Sequence, residues 1–174
     1  MKLRQHLITR EIGIDAGHRV TYHHSKCRSI HGHRYVVQAS CAGELAESGS
    51  TEGMAGGLDF GFLKDEMMAE IDGPCDHGLI LWVKDPLLAT FVRSKFEFEQ
   101  LPGITAKFGA AGITGHCGKL YVVPFVPTAE NLARHWFERL EPRIKARSEG
   151  RATLVRIRTY ETPNCWADFP TLST

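Results

Sequence analysis

Three histidines and a cysteine, His18, His31, His33 and Cys27, stand close together in the chain. His31-Gly32-His33 on an extended segment puts both imidazoles on one side, because strand side chains alternate. His18, at the end of a neighbouring segment, completes a facial set of three nitrogen donors. Three protein ligands leave one tetrahedral position open, which is the arrangement of a catalytic zinc. Cys27 beside such a cation can serve as thiolate base or nucleophile. The same residues admit two other readings: Cys27 as fourth ligand of a closed structural site, or a histidine cluster that binds no metal.

The surrounding pattern supplies elements to hold them. Residues 7–16 alternate, Ile8, Ile12 and Ile14 against Thr9, Glu11 and Asp15, which predicts a half-buried strand ending at Gly17-His18. Residues 34–44 predict a second strand, with Tyr35, Val37, Ala39 and Cys41 opposed to Gln38 and Ser40. The polar, basic loop 19–32 joins them as a wide hairpin with the histidines at its loop end. Gly43 to Gly57 reads as a turn. From Phe60 the period becomes helical (Phe60, Leu63, Met67, Ile71), with Asp59 as cap and Gly73-Pro74 as stop. A second helix starts after Thr128, its stripe Leu132, Trp136, Phe137, Leu140 and Ile144, with Pro142 positioned to end or kink it. A last strand covers 152–160, where Leu154, Arg156 and Arg158 alternate with Val155, Ile157 and Thr159, before a tail that turns and packs an aromatic pair, Trp166 and Phe169. Residues 84–126, with Phe91, Phe96, Phe98 and a Gly-rich stretch from Lys107 to Lys119, are too long for a bare loop and predict a short helix and an added strand at 119–125.

Composition bounds the function classes. A chain of 174 residues predicts a single domain over 1–174, with 43% hydrophobic and 24% charged residues as in a globular protein. A net charge of +1 argues against a general nucleic-acid binder. No apolar run is long enough to predict a membrane span. The five cysteines, at 27, 41, 75, 117 and 165, have no C-x-x-C spacing, which predicts free thiols and a cytoplasmic setting.

Further pieces then fall into line: Ala16-Gly17-His18, Cys27-x-x-x-His31-Gly32-His33, Leu58-Asp59-Phe60-x-x-Leu63-Lys64, Asp76-His77, Pro127-Thr128-Ala129-Glu130-Asn131-Leu132 and Tyr160-Glu161-Thr162. With them the chain resembles the 6-carboxy-tetrahydropterin synthase / 6-pyruvoyl-tetrahydropterin synthase family of the tunnelling fold, over nearly its whole length except about 84–126. The resemblance implies an α+β fold in ββααββ order, an antiparallel sheet with two helices on one face, assembling into a barrel. It implies Zn2+ on His18, His31 and His33, Cys27 as catalytic base, and Asp76 and His77 completing a proton relay. Glu161 would anchor the pterin edge, near Thr128. It further implies a homohexamer of two stacked trimers with sites between subunits.

The implied activity is conversion of 7,8-dihydroneopterin triphosphate to 6-carboxy-tetrahydropterin with loss of acetaldehyde and triphosphate, in 7-deazaguanine (queuosine) biosynthesis. The alternatives are triphosphate elimination to a pyruvoyl product and a non-catalytic zinc module. Each residue also has a plainer reading. Asp76-His77 fits an exposed polar turn, Glu161 a strand-end charge, Thr128 a helix cap and Glu130 a first-turn acid. Lys26 and Arg28, the candidates for holding the triphosphate, fit solvated surface charges. One departure stands out: the family usually continues x-x-Leu-Asn after Asp-His, whereas this chain has Gly78-Leu79-Ile80-Leu81.

Overall fold

The computed structural model describes residues 5–43, 58–91, 113–115 and 118–171. The expected turn at 43–57, Phe96, Phe98 and most of the Gly-rich stretch from Lys107 lie outside the described residues.

β1 (His6–His18) and β2 (His31–Gly43) form an antiparallel hairpin whose register sets His18 opposite His31. Ile12, Ile14 and Ala16 of β1 and Tyr35, Val37, Ala39 and Cys41 of β2 turn to one face, as their alternation predicts. Ser40 departs from that pattern and is buried, bonded to the Thr9 hydroxyl at 2.8 Å. β6 (Ala152–Thr162) adds to β2, with a register shift between Ser40 and Cys41. That bulge corrects the expected alternation: one extra residue slips the phase, so Leu154 and Ile157 face the core together.

The remaining strands are β3 (Gly78–Trp82), β4 (Ile113–Gly115), β5 (Gly118–Val123) and β7 (Cys165–Phe169), and the sheet order is β4-β5-β3-β1-β2-β6-β7. The sheet is mixed, not purely antiparallel, because β3 pairs parallel with both β1 and β5. Burial of Ile80, Leu81, Tyr121 and Val122 suits these inner, parallel positions. The tail forms β7 against β6 instead of packing Trp166 on Phe169: Trp166 meets Tyr160, ring centroids 5.5 Å apart, and Phe169 meets Phe137 at 5.4 Å.

Two helices cover one face. α1 (Phe60–Met67) is capped by Asp59, whose carboxylate accepts the Gly61 and Phe62 amides at 2.9 and 3.0 Å. Leu63, Met67 and Ile71 are buried, but Phe60 is exposed. Gly73-Pro74 does not stop this segment. A wider π-type turn, Met68–Asp72, leads into a last turn, Gly73–Cys75, and Pro74 enters where its missing N–H removes little.

α2 (Ala129–Arg147) likewise runs through Pro142, with Leu140 and Ile144 buried on either side of it. Burying that stripe outweighs the lost bond. Thr128 caps α2 through the Asn131 amide at 3.4 Å. Both helices pack on the Ile14, Tyr35, Val37 and Ile157 face. Arg143 and Arg147 of α2 clasp Glu66 of α1 at 2.6 and 3.0 Å. His135 is buried beside Tyr121, whose hydroxyl lies 2.8 Å from its Nε2. No helix among the described residues is long and apolar enough to cross a membrane.

Candidate metal centre

The hairpin places all three histidines on the core-facing side at one end of the sheet. His18 faces His31 across the register and His33 faces Ala16, so the three rings converge with centroids 4.4 to 5.2 Å apart. One nitrogen of each lies within 4.8 Å of the others. Gly32 between the two β2 histidines pairs with Gly17, and a Cβ there would fall 3.1 Å from the Ala16 carbonyl oxygen.

The second nitrogens decide what the cluster can do. Nδ1 of His18 lies 2.7 Å from the Pro127 carbonyl and Nδ1 of His31 lies 2.8 Å from the Ser29 carbonyl. A carbonyl only accepts, so each Nδ1 carries its proton and each Nε2 presents a lone pair. This is the arrangement metal-ligating histidines require. His18 is fully buried, and its Nε2 makes no hydrogen bond. Burial pushes its imidazole down to about 4; the Pro127 carbonyl opposes that shift, and His31 and His33 reinforce it. Burial also lowers His33, against the pull of Glu161. Neutral rings with an unpartnered buried nitrogen fit a metal ion.

Glu161, at the end of β6, borders this cluster. Its Oε1 lies 3.3 Å from His18 Nε2, out of line for a hydrogen bond, and 3.7 Å from His33 Nε2. Thr128 stands beside Pro127, whose carbonyl orients His18, so the α2 start adjoins the cluster too. Cys27, with Lys26 and Arg28, forms a single tight turn in the hairpin loop, and the Cys27 carbonyl accepts the Val20 amide at 2.8 Å. Cys27 is half-buried and is not among the clustered ligand atoms.

Asp76 and His77 lie elsewhere in the same chain. The Asp76 carboxylate accepts the Asp15 amide at 2.8 Å and meets His77 Nδ1 at 2.7 Å, while the His77 amide donates to the Asp15 carbonyl at 2.7 Å. Burial would raise the Asp76 carboxyl, but the Asp15 amide, His77 and Lys119 outweigh it and hold it low. Asp15 precedes His18 by three residues, about 10 Å along a strand, and has its side chain on the opposite face. The His77 side chain is 77% exposed. Two partners escaped the sequence reading. Asp15 acts through its backbone, which no side-chain pattern reveals. Lys119, which donates to the Gly73 and Asp76 carbonyls at 2.8 and 2.7 Å, lies at the start of the strand expected at 119–125, whose pattern gives no sign of these distant backbone partners.

A curled mixed sheet with two helices on one face and a histidine trio at one end defines the tunnelling-fold class. The chain belongs to the 6-pyruvoyl tetrahydropterin synthase family, whose model matches residues 7–171. It is 32% identical over 160 residues to the 6-carboxy-5,6,7,8-tetrahydropterin synthase of Rickettsia conorii, covering 92% of this chain and 96% of that one. It is 28% identical over 162 residues to the enzyme of that name from Haemophilus influenzae, covering 93% and 96%. Among solved structures, an uncharacterised protein of Wolinella succinogenes matches with TM-score 0.67 at 24% identity, over 95% of this chain and 98% of that one. The 6-pyruvoyl tetrahydropterin synthase of Caenorhabditis elegans matches with TM-score 0.58 at 21% identity, over 97% of each. These two likenesses show the fold.

Proposed function

We propose that the protein is a zinc-dependent 6-carboxy-5,6,7,8-tetrahydropterin synthase. It would act on 7,8-dihydroneopterin triphosphate, releasing acetaldehyde and triphosphate, in cytoplasmic 7-deazaguanine (queuosine) biosynthesis. The observation that carries the reading is the histidine trio with Nδ1 of His18 and His31 tied to carbonyls, in a chain whose relatives bear that enzyme's name. Zinc held by His18, His31 and His33 would polarise the side-chain oxygens of the substrate.

The chain's own residues divide the other tasks. Cys27, in the loop of the hairpin that carries the histidines and outside their cluster, removes a proton from the substrate side chain. Glu161 accepts paired N–H donors from the amino-pyrimidinone edge, and Thr128 contributes to the same pterin pocket. Asp76 orients His77, which carries protons at the site of a second copy. The exposed His77 side chain supports that division between copies. So does β1, whose residues 6–15 pair with β2 alone among the described strands, leaving an edge on which a neighbour's sheet can continue in a homohexamer of two stacked barrels.

Product analysis with 7,8-dihydroneopterin triphosphate tests the function. Acetaldehyde with a 6-carboxy product is expected. A pyruvoyl product would reassign the reaction within the family, and an unchanged substrate would overturn the enzymatic reading.

A further inference from the structure

The peptide that joins Asp76 to His77 stands in a strained turn. Asp76 has φ −63° and ψ 134°, and His77 follows with φ 53°. These angles are those of a type II turn over 75–78, whose third residue is ordinarily glycine or asparagine because its φ is positive. Histidine there carries a Cβ into the left-handed region, a strain that persists only where the surroundings hold it. The chain has a less strained alternative: turning the central peptide over gives a type I turn, with His77 at negative φ.

Two groups oppose that change, one at each end of the peptide. The His77 amide donates to the Asp15 carbonyl at 2.7 Å, and the Asp76 carbonyl accepts Nζ of Lys119 at 2.7 Å. Turned over, the peptide would set carbonyl against carbonyl on the β1 side and N–H against ammonium on the other. It would also alter the direction in which His77 leaves the chain, and so its contact with the Asp76 carboxylate, which meets Nδ1 at 2.7 Å. That contact leaves Nε2 of His77 to exchange protons. Asp15 reaches the peptide from β1, whereas Lys119 comes from β5, on the other side of β3.

The fold makes room for this lysine. Lys119 pairs with Gly78 in the parallel β3–β5 register, one residue beyond His77. A Cβ on Gly78 would fall 3.2 Å from Cδ of Lys119 and 3.0 Å from the Cys75 carbonyl oxygen, so the bare glycine lets the lysine stem pass close to the turn. The ammonium also donates to the Gly73 carbonyl at 2.8 Å, and no carboxylate pairs with it among the described residues. Lys119 therefore serves backbone and not a surface ion pair. Ile80 and Leu81, in the run that follows Asp76-His77, are fully buried and make β3 an inner strand that takes β5 alongside.

We propose that Lys119 is a positioning residue for the Asp76-His77 pair: with Asp15 it clamps the peptide between them in the type II form. This deepens the proposed function by giving β5 a task in it, and rests on that reading for the relay itself.

The test compares the zinc-loaded wild type with Lys119→Met, which keeps the stem and loses the ammonium, and with Lys119→Arg, which keeps donors for both carbonyls. Hydrogen exchange at single-residue resolution reads the clamp without turnover. In Lys119→Met the His77 amide should exchange about tenfold faster or more, the worth of one lost hydrogen bond, while the amides of β2 keep their rates. The kcat for 7,8-dihydroneopterin triphosphate should fall by about 10²-fold, the scale of a misplaced reacting group, at unchanged KM and zinc content. Lys119→Arg should restore both. Lys145→Met, on the exposed last turn of α2, should change neither.

A His77 amide that exchanges at the wild-type rate in folded Lys119→Met would overturn the clamp. Equal acceleration at His77 and throughout β2 would mean general loosening and overturn it as well. Faster exchange at His77 with a wild-type kcat, while His77→Ala is inactive, would overturn the positioning role. Should Lys119→Met fail to fold, Lys119→Gln, whose amide is too short to reach both carbonyls, takes its place under the same criteria. Failure of the proposed function looks different. A wild type without turnover, or a fully active His77→Ala, sinks the relay reading, and the His77 amide still decides the clamp.

Discussion

Oε1 of Glu161 lies 3.3 Å from Nε2 of His18, so a strand-end carboxylate shares the space onto which the buried histidine opens its lone pair. That closeness makes it necessary to separate metal-holding from ligand-holding residues by experiment.

His31 offers one of the three clustered nitrogens that could hold a metal and is pinned by the Ser29 carbonyl. Two neutral histidines alone hold zinc poorly, so His31→Ala should lose most bound zinc. Metal analysis of the purified variant decides this, and full occupancy would remove His31 from the ligand set.

Cys27 lies outside the ligand cluster. Cys27→Ala should keep zinc while turnover falls by about 10²–10⁴-fold, the usual worth of a general base. Loss of zinc together with activity would instead make Cys27 the fourth ligand of a closed site.

Glu161→Gln keeps the shape but turns one acceptor into a donor. If Glu161 receives two N–H groups from the pterin, affinity should fall about tenfold or more, since a mismatched buried donor costs about 1–3 kcal/mol. Titration with sepiapterin or biopterin reads this out, and zinc content should not change. Unaltered affinity would leave Glu161 as a strand-end charge.

The proposed division of the relay between copies predicts complementation. Cys27→Ala and His77→Ala should each be inactive alone, and co-refolding the two should restore turnover at sites that draw Cys27 and His77 from different chains. A mixture as inactive as its parts, with mixed oligomers verified, would place the whole relay in one chain or discard it.

His135 makes an acid-stability prediction. Burial pushes its imidazole from 6.5 down to about 4, with Arg139 reinforcing the shift. The unfolded ring takes up a proton before the folded one, so stability is full above 6.5 and declines as pH falls towards 4. The gap corresponds to roughly 3 kcal/mol. Denaturant unfolding of the zinc-loaded protein across that range should show a steeper loss in the wild type than in His135→Gln. Identical slopes would mean that the ring already titrates freely in the fold.

The parts legible in the sequence were those written in side-chain periodicity and local capping. Alternation defined the β1–β2 hairpin, and Asp59 and Thr128 marked both helix starts. The H-x-H spacing anticipated that His31 and His33 share a face. What was illegible depended on distant backbone. The short apolar run Leu79–Leu81 carries no sign that it will lie parallel to β1, and the β6 slip is fixed by its pairing with Ser40 and Cys41. Asp15 meets Asp76 and His77 through its peptide groups, so its identity as aspartate says nothing of that role. Pro74 and Pro142 look like breakers by themselves and are overruled by the burial of Ile71, Leu140 and Ile144.

The Pro127 carbonyl that fixes the His18 ring comes one residue before the cap of α2, 109 residues along the chain. Occupancy of the histidine trio and seating of that helix are therefore thermodynamically linked. Any ion that prefers the aligned ring also favours a docked α2, by an amount that grows logarithmically with its concentration. Conversely, a change that loosens the first turn of α2, such as loss of the Thr128 cap, should register as weakened metal affinity although it touches no ligand. If the trio holds a metal as proposed, the melting temperature of this protein is expected to report its metal supply.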